Sequence, residues 1–293
     1  MEIALALGGG GAKGNAHIGV LKRLEQEGFQ IRSVAGTSFG GLVAVLYALG
    51  KTPSEIQTDF EAIDQNQLFG HEDGDGPSLL GFAGVRKFLK GLIGDKTFDD
   101  LKLPCAVTAV DIRTGAEISL SEGKLVDALL ATIALPGIFP ASELNGWELV
   151  DGGVLNPVPV SVARDLSPDL PVVAVVLNSP MDHPVRGYSL PIPGIFPRPI
   201  VERLSRISLA QSYDIFMRSV DVSSRAVAHF RLQLDKPEVI IRPNVYDIDL
   251  LDKIIVADVV QLGEKAVDVV LPELHKVVSW QSRLSRKLFK AIS

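Results

Sequence analysis

The stretch EIALALG (residues 2–8) carries five apolar positions in a row, and so short an apolar run predicts a strand buried on both faces. Residues 14–27 place apolar positions at helical spacing and stop at Gly28, and IRSVA (31–35) returns to strand character. The opening segment therefore predicts a βαβ unit. After GTSFGG, residues 42–49 (LVAVLYAL) read as a buried helix ended by Gly50 and Pro53, so strand, glycine-rich turn and helix recur within fifty residues. Residues 66–96, including FGHEDGDGPSLLGFAG, are glycine-rich and weakly periodic, which predicts a mobile cap or connection.

Further on, LPCAVTAVDI from Leu103 predicts a strand, 124–135 a helix, and PVVAVVLNS from Pro171 a buried parallel strand. Six of the 18 prolines fall within 179–199, which argues against a regular element there. Residues 200–232 read as largely helical, EVIIRPNV (238–245) as a last strand and 252–271 as a final core helix. No internal repeat and no linker divides residues 1–271, so the pattern predicts a single α/β domain with an open, mostly parallel sheet.

The last 22 residues differ from the rest. Lys276, Arg283, Arg286, Lys287 and Lys290 against Glu273 give this segment a net charge of +4 and leave the remainder at −10. Val277, Trp280, Leu284, Leu288 and Ile292 recur at spacings of three and four, so residues 272–293 predict a basic amphipathic helix. Two readings stay open: the apolar stripe packs on the domain, or it lies as a peripheral contact on an anionic membrane surface.

Composition narrows the function classes. The 293 residues are 46% hydrophobic, ample for a core. A net charge of −6 and a pI near 5.4 argue against a nucleic-acid partner, because phosphate binding needs a basic footprint. The single cysteine, Cys105, excludes an internal disulfide framework and fits a reducing, cytoplasmic setting; it reads as a small buried apolar residue. MEIALAL has no preceding positive segment and runs into glycines, which favours a first strand over a leader, and no apolar run approaches a membrane span.

Candidate chemistry sits at the two glycine-rich turns. Gly9-Gly10-Gly11-Ala12-Lys13-Gly14, preceded by Gly8, satisfies G-x-G-x-x-G, a pattern shared with dinucleotide sites. Such a site also needs an acidic residue at the end of the second strand, where Ala35-Gly36-Thr37-Ser38 stands instead. A phosphate-binding P-loop fails as well, because Gly14 and not Ser or Thr follows Lys13. What ends the second strand is Gly36-Thr37-Ser38-Phe39-Gly40, a G-x-S-x-G in the strand-turn-helix context of a nucleophile elbow. Both turns belong to adjacent parallel strands and so share the carboxyl edge of the sheet. Backbone N–H groups of Gly10 and Gly11 then come within reach of a carbonyl bound at Ser38, as an oxyanion hole requires.

A serine nucleophile needs a base. An α/β-hydrolase brings its serine after several strands and a histidine late in the chain, whereas Ser38 follows the second strand. None of His17, His71, His183, His229 and His275 stands in a catalytic context; His17 reads as a packed histidine of the first helix, and HEDGDG at His71 lacks the spacing of a calcium loop. The remaining candidate lies in WELVDGGVLNPVPV, where Asp151-Gly152-Gly153 marks a tight turn; an aspartate before two glycines is also an ordinary turn residue.

Together these motifs resemble the patatin-like phospholipase family, in its bacterial branch. The G-x-G-x-x-G of Gly9 to Gly14, the G-x-S-x-G of Gly36 to Gly40 and the D-G-G of Asp151 to Gly153 stand in that family's order, and the stretches FDDLKLPCAVTAVDIRTGAEISL, ATIALPGIFPA and LVDGGVLNPVPV extend the similarity. The resemblance implies a three-layer α/β sheet distinct from the α/β-hydrolase fold, and an acyl-ester hydrolase acting on phospholipids, lysophospholipids or simpler lipid esters without metal or organic cofactor. It implies Ser38 as nucleophile, Asp151 as base, Gly9, Gly10 and Gly11 at the oxyanion hole, and Lys13 as a basic residue that places the turn or attracts an anionic head group. Gly8 departs from the family, which often has an aspartate there. Leu79, Leu80, Phe82, Ile192, Ile195 and Phe196 are candidate walls or lid of an acyl channel, or else residues that pack their own loops down. The competing class is a non-catalytic regulatory or scaffold protein on the same fold; an intact Ser38 and Asp151 speak for the enzyme.

Overall fold

The computed structural model describes residues 1–64, 68, 70–71, 76–185, 187 and 208–279. Its centre is an eight-stranded sheet in the order β5-β6-β3-β2-β1-β7-β8, with β4 pairing β3 off that path. The strands are β1 Glu2–Leu7, β2 Gln30–Thr37, β3 Cys105–Asp111, β4 Ala116–Leu120, β5 Ser142–Leu144, β6 Trp147–Asp151, β7 Val172–Val175 and β8 Val239–Ile241. The pairs among β3, β2, β1, β7 and β8 are parallel, whereas β4 and β6 run antiparallel to β3, and β5 to β6.

Alternation along β1 explains the layers. Ile3, Leu5 and Leu7 enter one core with α1 (Ala16–Gln26), α2 (Phe39–Ala48), α3 (Pro53–Glu61), α4 (Ala83–Ile93), α5 (Leu125–Thr132) and α8 (Val256–Val277). Ala4 and Ala6 face the opposite way, into a smaller core with Val160 and Ala163 of α6 (Val160–Leu166) and Leu232 of α7 (Ser208–Asp235). Helix, sheet and helix make the expected three-layer, mostly parallel α/β fold. Cys105 is buried on β3, and burial pushes its thiol up, as befits an apolar core residue.

Several expectations need correcting. Within the segment read as a glycine-rich cap, Ala83–Ile93 forms α4, whose Leu89 and Ile93 are buried; glycines before it and Gly84 and Gly91 within it dilute its periodicity. Helix α3 begins at Pro53, with Thr52 and Glu55 closing a reciprocal capping box, a signal present in the sequence. The hairpin β5–β6 and strand β4 were not foreseen either. The final helix begins at Val256 and continues through Pro272 to Val277, so the expected boundary between 271 and 272 falls inside it. Leu274 and Val278 are buried there; Trp280, Arg283, Leu284, Arg286, Lys287, Leu288, Lys290 and Ile292 lie outside the described residues.

Helices α1 and α8 cross at closest range. A Cβ on Gly19 would collide with the Val260 carbonyl, and one on Gly263 with the Ala16 carbonyl, so the two backbones meet in both directions. No helix among the described residues is long and apolar enough to cross a membrane.

Candidate active site

The turn between β2 and α2 carries Ser38 at φ 54, ψ −128, a conformation that L residues rarely hold without compensation. Space is what forces it. A Cβ on Gly36 would strike the Gly40 carbonyl, and one on Gly40 the carbonyls of Leu7 and Gly8, so the chain bends back on itself and against β1 at once. The hydroxyl is thereby projected at the N-terminus of α2, where backbone N–H groups favour negative charge.

The neighbouring turn follows β1. Gly8 N–H donates to the Val175 carbonyl at 3.0 Å and Gly9 N–H to the Pro157 carbonyl at 2.9 Å. Gly9 therefore has its N–H engaged, whereas the N–H groups of Gly10 and Gly11 have no protein acceptor among the described residues. Gly11 takes φ +56 beneath the Leu250 carbonyl, which also accepts Ala12 N–H at 2.9 Å. The turn gains a further brace from His17. Its Nε2 donates to the Gly8 carbonyl at 2.7 Å, and burial lowers the imidazole to about 4, so the ring is neutral at pH 7. The sequence reading assigned His17 to packing alone; its buried position one turn past the glycines was the available clue, because a buried polar group must find a partner.

Asp151 ends β6, and β3 explains how it reaches Ser38. Strand β2 pairs with the first half of β3 up to Thr37 opposite Thr108, and β6 pairs with the second half, ending with Asp151 opposite Ala109. Since β4 overlaps both pairings and must occupy the other edge of β3, β2 and β6 lie end to end along one edge. Their carboxyl ends meet at neighbouring rungs. The Asp151 carboxylate is buried; its Oδ1 accepts the Gly153 N–H at 2.7 Å, and the Ser38 side chain lies near enough to favour its ionised form. Burial pushes the carboxyl up from 3.8 to about 6, while the bonds from Ser38 and Gly153 hold it back from rising further. Gly152 is pressed against Thr108, leaving no room for a side chain.

Ser38, Asp151, Gly10, Gly11 and Lys13 all line one cavity of about 610 Å³. Its apolar wall comes from Phe60 of α3, Val85, Phe88 and Leu89 of α4, and Ile133 and Leu135 beyond α5; Asn178 and Ser219, Asp221 and Ser223 of α7 form a polar side. This changes the expected channel. Leu80 is buried with Ile138 and Met217, Phe82 stacks on Phe139, and Leu79 is exposed, so these three stand behind or beside the wall. Ile192, Ile195 and Phe196 lie outside the described residues. Among the described residues, no three His, Cys, Asp or Glu side chains gather as a metal site.

Comparison with known proteins agrees with this geometry. An NTE family protein of Mycobacterium tuberculosis is 33% identical over 190 residues, covering 63% of this chain and 51% of that protein. A second from the same organism is 28% identical over 255 residues, covering 86% and 43%. Patatin-like phospholipase domain-containing protein 6 of Mus musculus is 33% identical over 184 residues, covering 60% of this chain and 14% of that protein. The chain thus spans about half the length of the mycobacterial relatives. VipD from Legionella pneumophila shares the fold at a TM-score of 0.55 and 12% identity, covering 93% of this chain and 66% of that one. The family model for patatin-like phospholipase matches residues 5–164, a span that holds the glycine turn, the serine elbow and the buried aspartate, and the chain belongs to that family.

Proposed function

We propose that this chain is a serine acyl hydrolase that cleaves fatty-acyl esters of phospholipids, lysophospholipids or related lipids through an acyl-serine intermediate. The observation that carries the reading is a serine held at positive φ beside a buried carboxylate whose pKa it holds down, inside a largely apolar cavity. Ser38 Oγ attacks the ester carbonyl and passes its proton to Asp151, while the Gly10 and Gly11 N–H groups receive the oxyanion. Collapse expels the alcohol, which takes the proton from Asp151. Water then attacks the acyl-serine, again through Asp151, and the proton returns to Ser38 as the fatty acid leaves. Lys13 on the cavity wall favours an anionic head group, and the α3–α4 side accepts the acyl chain. These steps call for no metal or organic cofactor.

A carboxylate base works only when ionised. With Asp151 raised to about 6, kcat/KM is expected to rise as pH passes through that value, unlike an ordinary aspartate already ionised well below it. The test is hydrolysis of a short-chain p-nitrophenyl ester together with labelling by a fluorophosphonate probe. Ser38→Ala is expected to abolish both, and Asp151→Asn to lower hydrolysis by about 1,000-fold or more. A folded wild type that neither labels nor hydrolyses any ester leaves the scaffold class as the alternative.

A further inference from the structure

Ser38 and Asp151 are tied together by a segment that belongs to neither motif. Thr132, the last residue of α5, is fully buried. Its Oγ1 accepts the Ser38 N–H at 2.9 Å and donates to the Thr108 carbonyl at 2.7 Å. Two residues later the Ala134 carbonyl accepts the Asp151 N–H at 2.9 Å. The backbones of both residues therefore hang from one short stretch, by a side chain at 132 and a carbonyl at 134. Thr108 closes the arrangement, because its own Oγ1 lies 2.7 Å from Thr37 Oγ1, next to the elbow.

We propose that Thr132 is a positioning residue, its hydroxyl setting the distance between the Ser38 elbow and Asp151. The proposal rests on the serine hydrolase reading above. As the residue capping α2, Ser38 has no intrahelical acceptor for its N–H, so an external one must hold the strained turn. A threonine hydroxyl has one proton to give. Because it goes to the Thr108 carbonyl, the oxygen's lone pair is left for Ser38, and the direction of the pair of bonds is fixed.

The test compares Thr132→Val, which keeps the shape and removes the hydroxyl, with Thr132→Ser, which keeps the hydroxyl and removes the methyl group. In Thr132→Val, kcat on a p-nitrophenyl ester is expected to fall by about 10- to 100-fold with KM nearly unchanged, because the nucleophile is displaced while the cavity is intact. The pH midpoint of kcat/KM is expected to move upward, since a displaced Ser38 no longer supports the ionised Asp151. Loss of folded protein alone does not move that midpoint. Thr132→Ser is expected to retain kcat within about threefold. The proposal is overturned if Thr132→Val keeps both kcat and midpoint, or if Thr132→Ser falls as far, which assigns the role to methyl packing. Should Thr132→Val not fold, Thr132→Ala is judged by the same two readouts. A wild type that resists the fluorophosphonate probe overturns the hydrolase reading itself and this proposal with it, whereas a labelled wild type with an unaffected Thr132→Val overturns this proposal alone.

Discussion

The two arms of the site are both a strand ending in a glycine-flanked turn, yet they are built differently. Ser38 sits in a parallel βαβ unit where backbone presses on backbone, Gly40 against the carbonyls of Leu7 and Gly8. Asp151 arrives on a short antiparallel hairpin, and the nearest atom to a Cβ on Gly153 would be the Asp151 Oδ1, at 3.1 Å. The serine turn is closed by backbone beside both flanking glycines; the aspartate turn is closed against Thr108 at Gly152 but open at Gly153, where the carboxylate is the nearest group. Damage at Gly40 should appear as lost stability, and damage at Gly153 as lost rate.

Gly40→Ala is the severest test of that contrast. No flexible atom can yield, so stability should drop by about 4 kcal/mol or more, measured by urea denaturation. Wild-type stability in Gly40→Ala would remove the basis for the contrast.

A second test uses the two buried titrating groups, one beside each turn. His17 stays neutral in the folded protein down to about 4 but protonates in the unfolded chain below 6.5, so acidification from 6.5 to 4 removes stability. Asp151 acts in the opposite direction: the folded state takes its proton near 6 and the unfolded chain only near 3.8, so the same acidification adds stability. Each is worth about 3 kcal/mol at 1.36 kcal/mol per pH unit, and they nearly offset each other. Asp151→Asn should therefore unmask His17, losing about 3 kcal/mol more than wild type between pH 6.5 and 4. Parallel stability curves for the two proteins would show that the offset is absent.

The mildest test is Gly153→Ala. The carboxylate must shift by a few tenths of an ångström, so the variant should fold normally and lose about tenfold in kcat, with little change in KM. A melting temperature that falls together with rate would mean that the aspartate turn is braced by backbone at Gly153 as it is at Gly152.

What the sequence made legible follows the same division. The βαβ unit, the glycine turn and the elbow could be read because each is local: periodicity gives the elements, and G-x-S-x-G between a strand and a helix gives the turn. Asp151 was recognisable as a motif residue, but its route to Ser38 depends on β6 abutting β2 along β3, a pairing between segments far apart in the chain. The cavity wall was open between two readings for a related reason. Leu80 and Phe82 take the packing alternative, while Val85, Phe88 and Leu89 on α4 do the lining once that helix forms. Thr132 falls within the family-like stretch ATIALPGIFPA, but nothing in the sequence marks its hydroxyl, which is seen under Ser38 only in the structure.

The backbone-to-backbone crossing of α1 and α8 bears on when the molecule can first work. The glycine turn lies against Leu250, and the helix that follows it seats on residues 260 and 263. These contacts join the start of the chain to a region synthesised more than two hundred residues later, the kind of long-range closure that folds slowly. A nascent chain can assemble its serine elbow early, but the N–H groups beside it stay unseated until the distant helix emerges. The architecture thus makes the seating of the glycine turn wait for residues 250–263, however early the elbow beside it has formed.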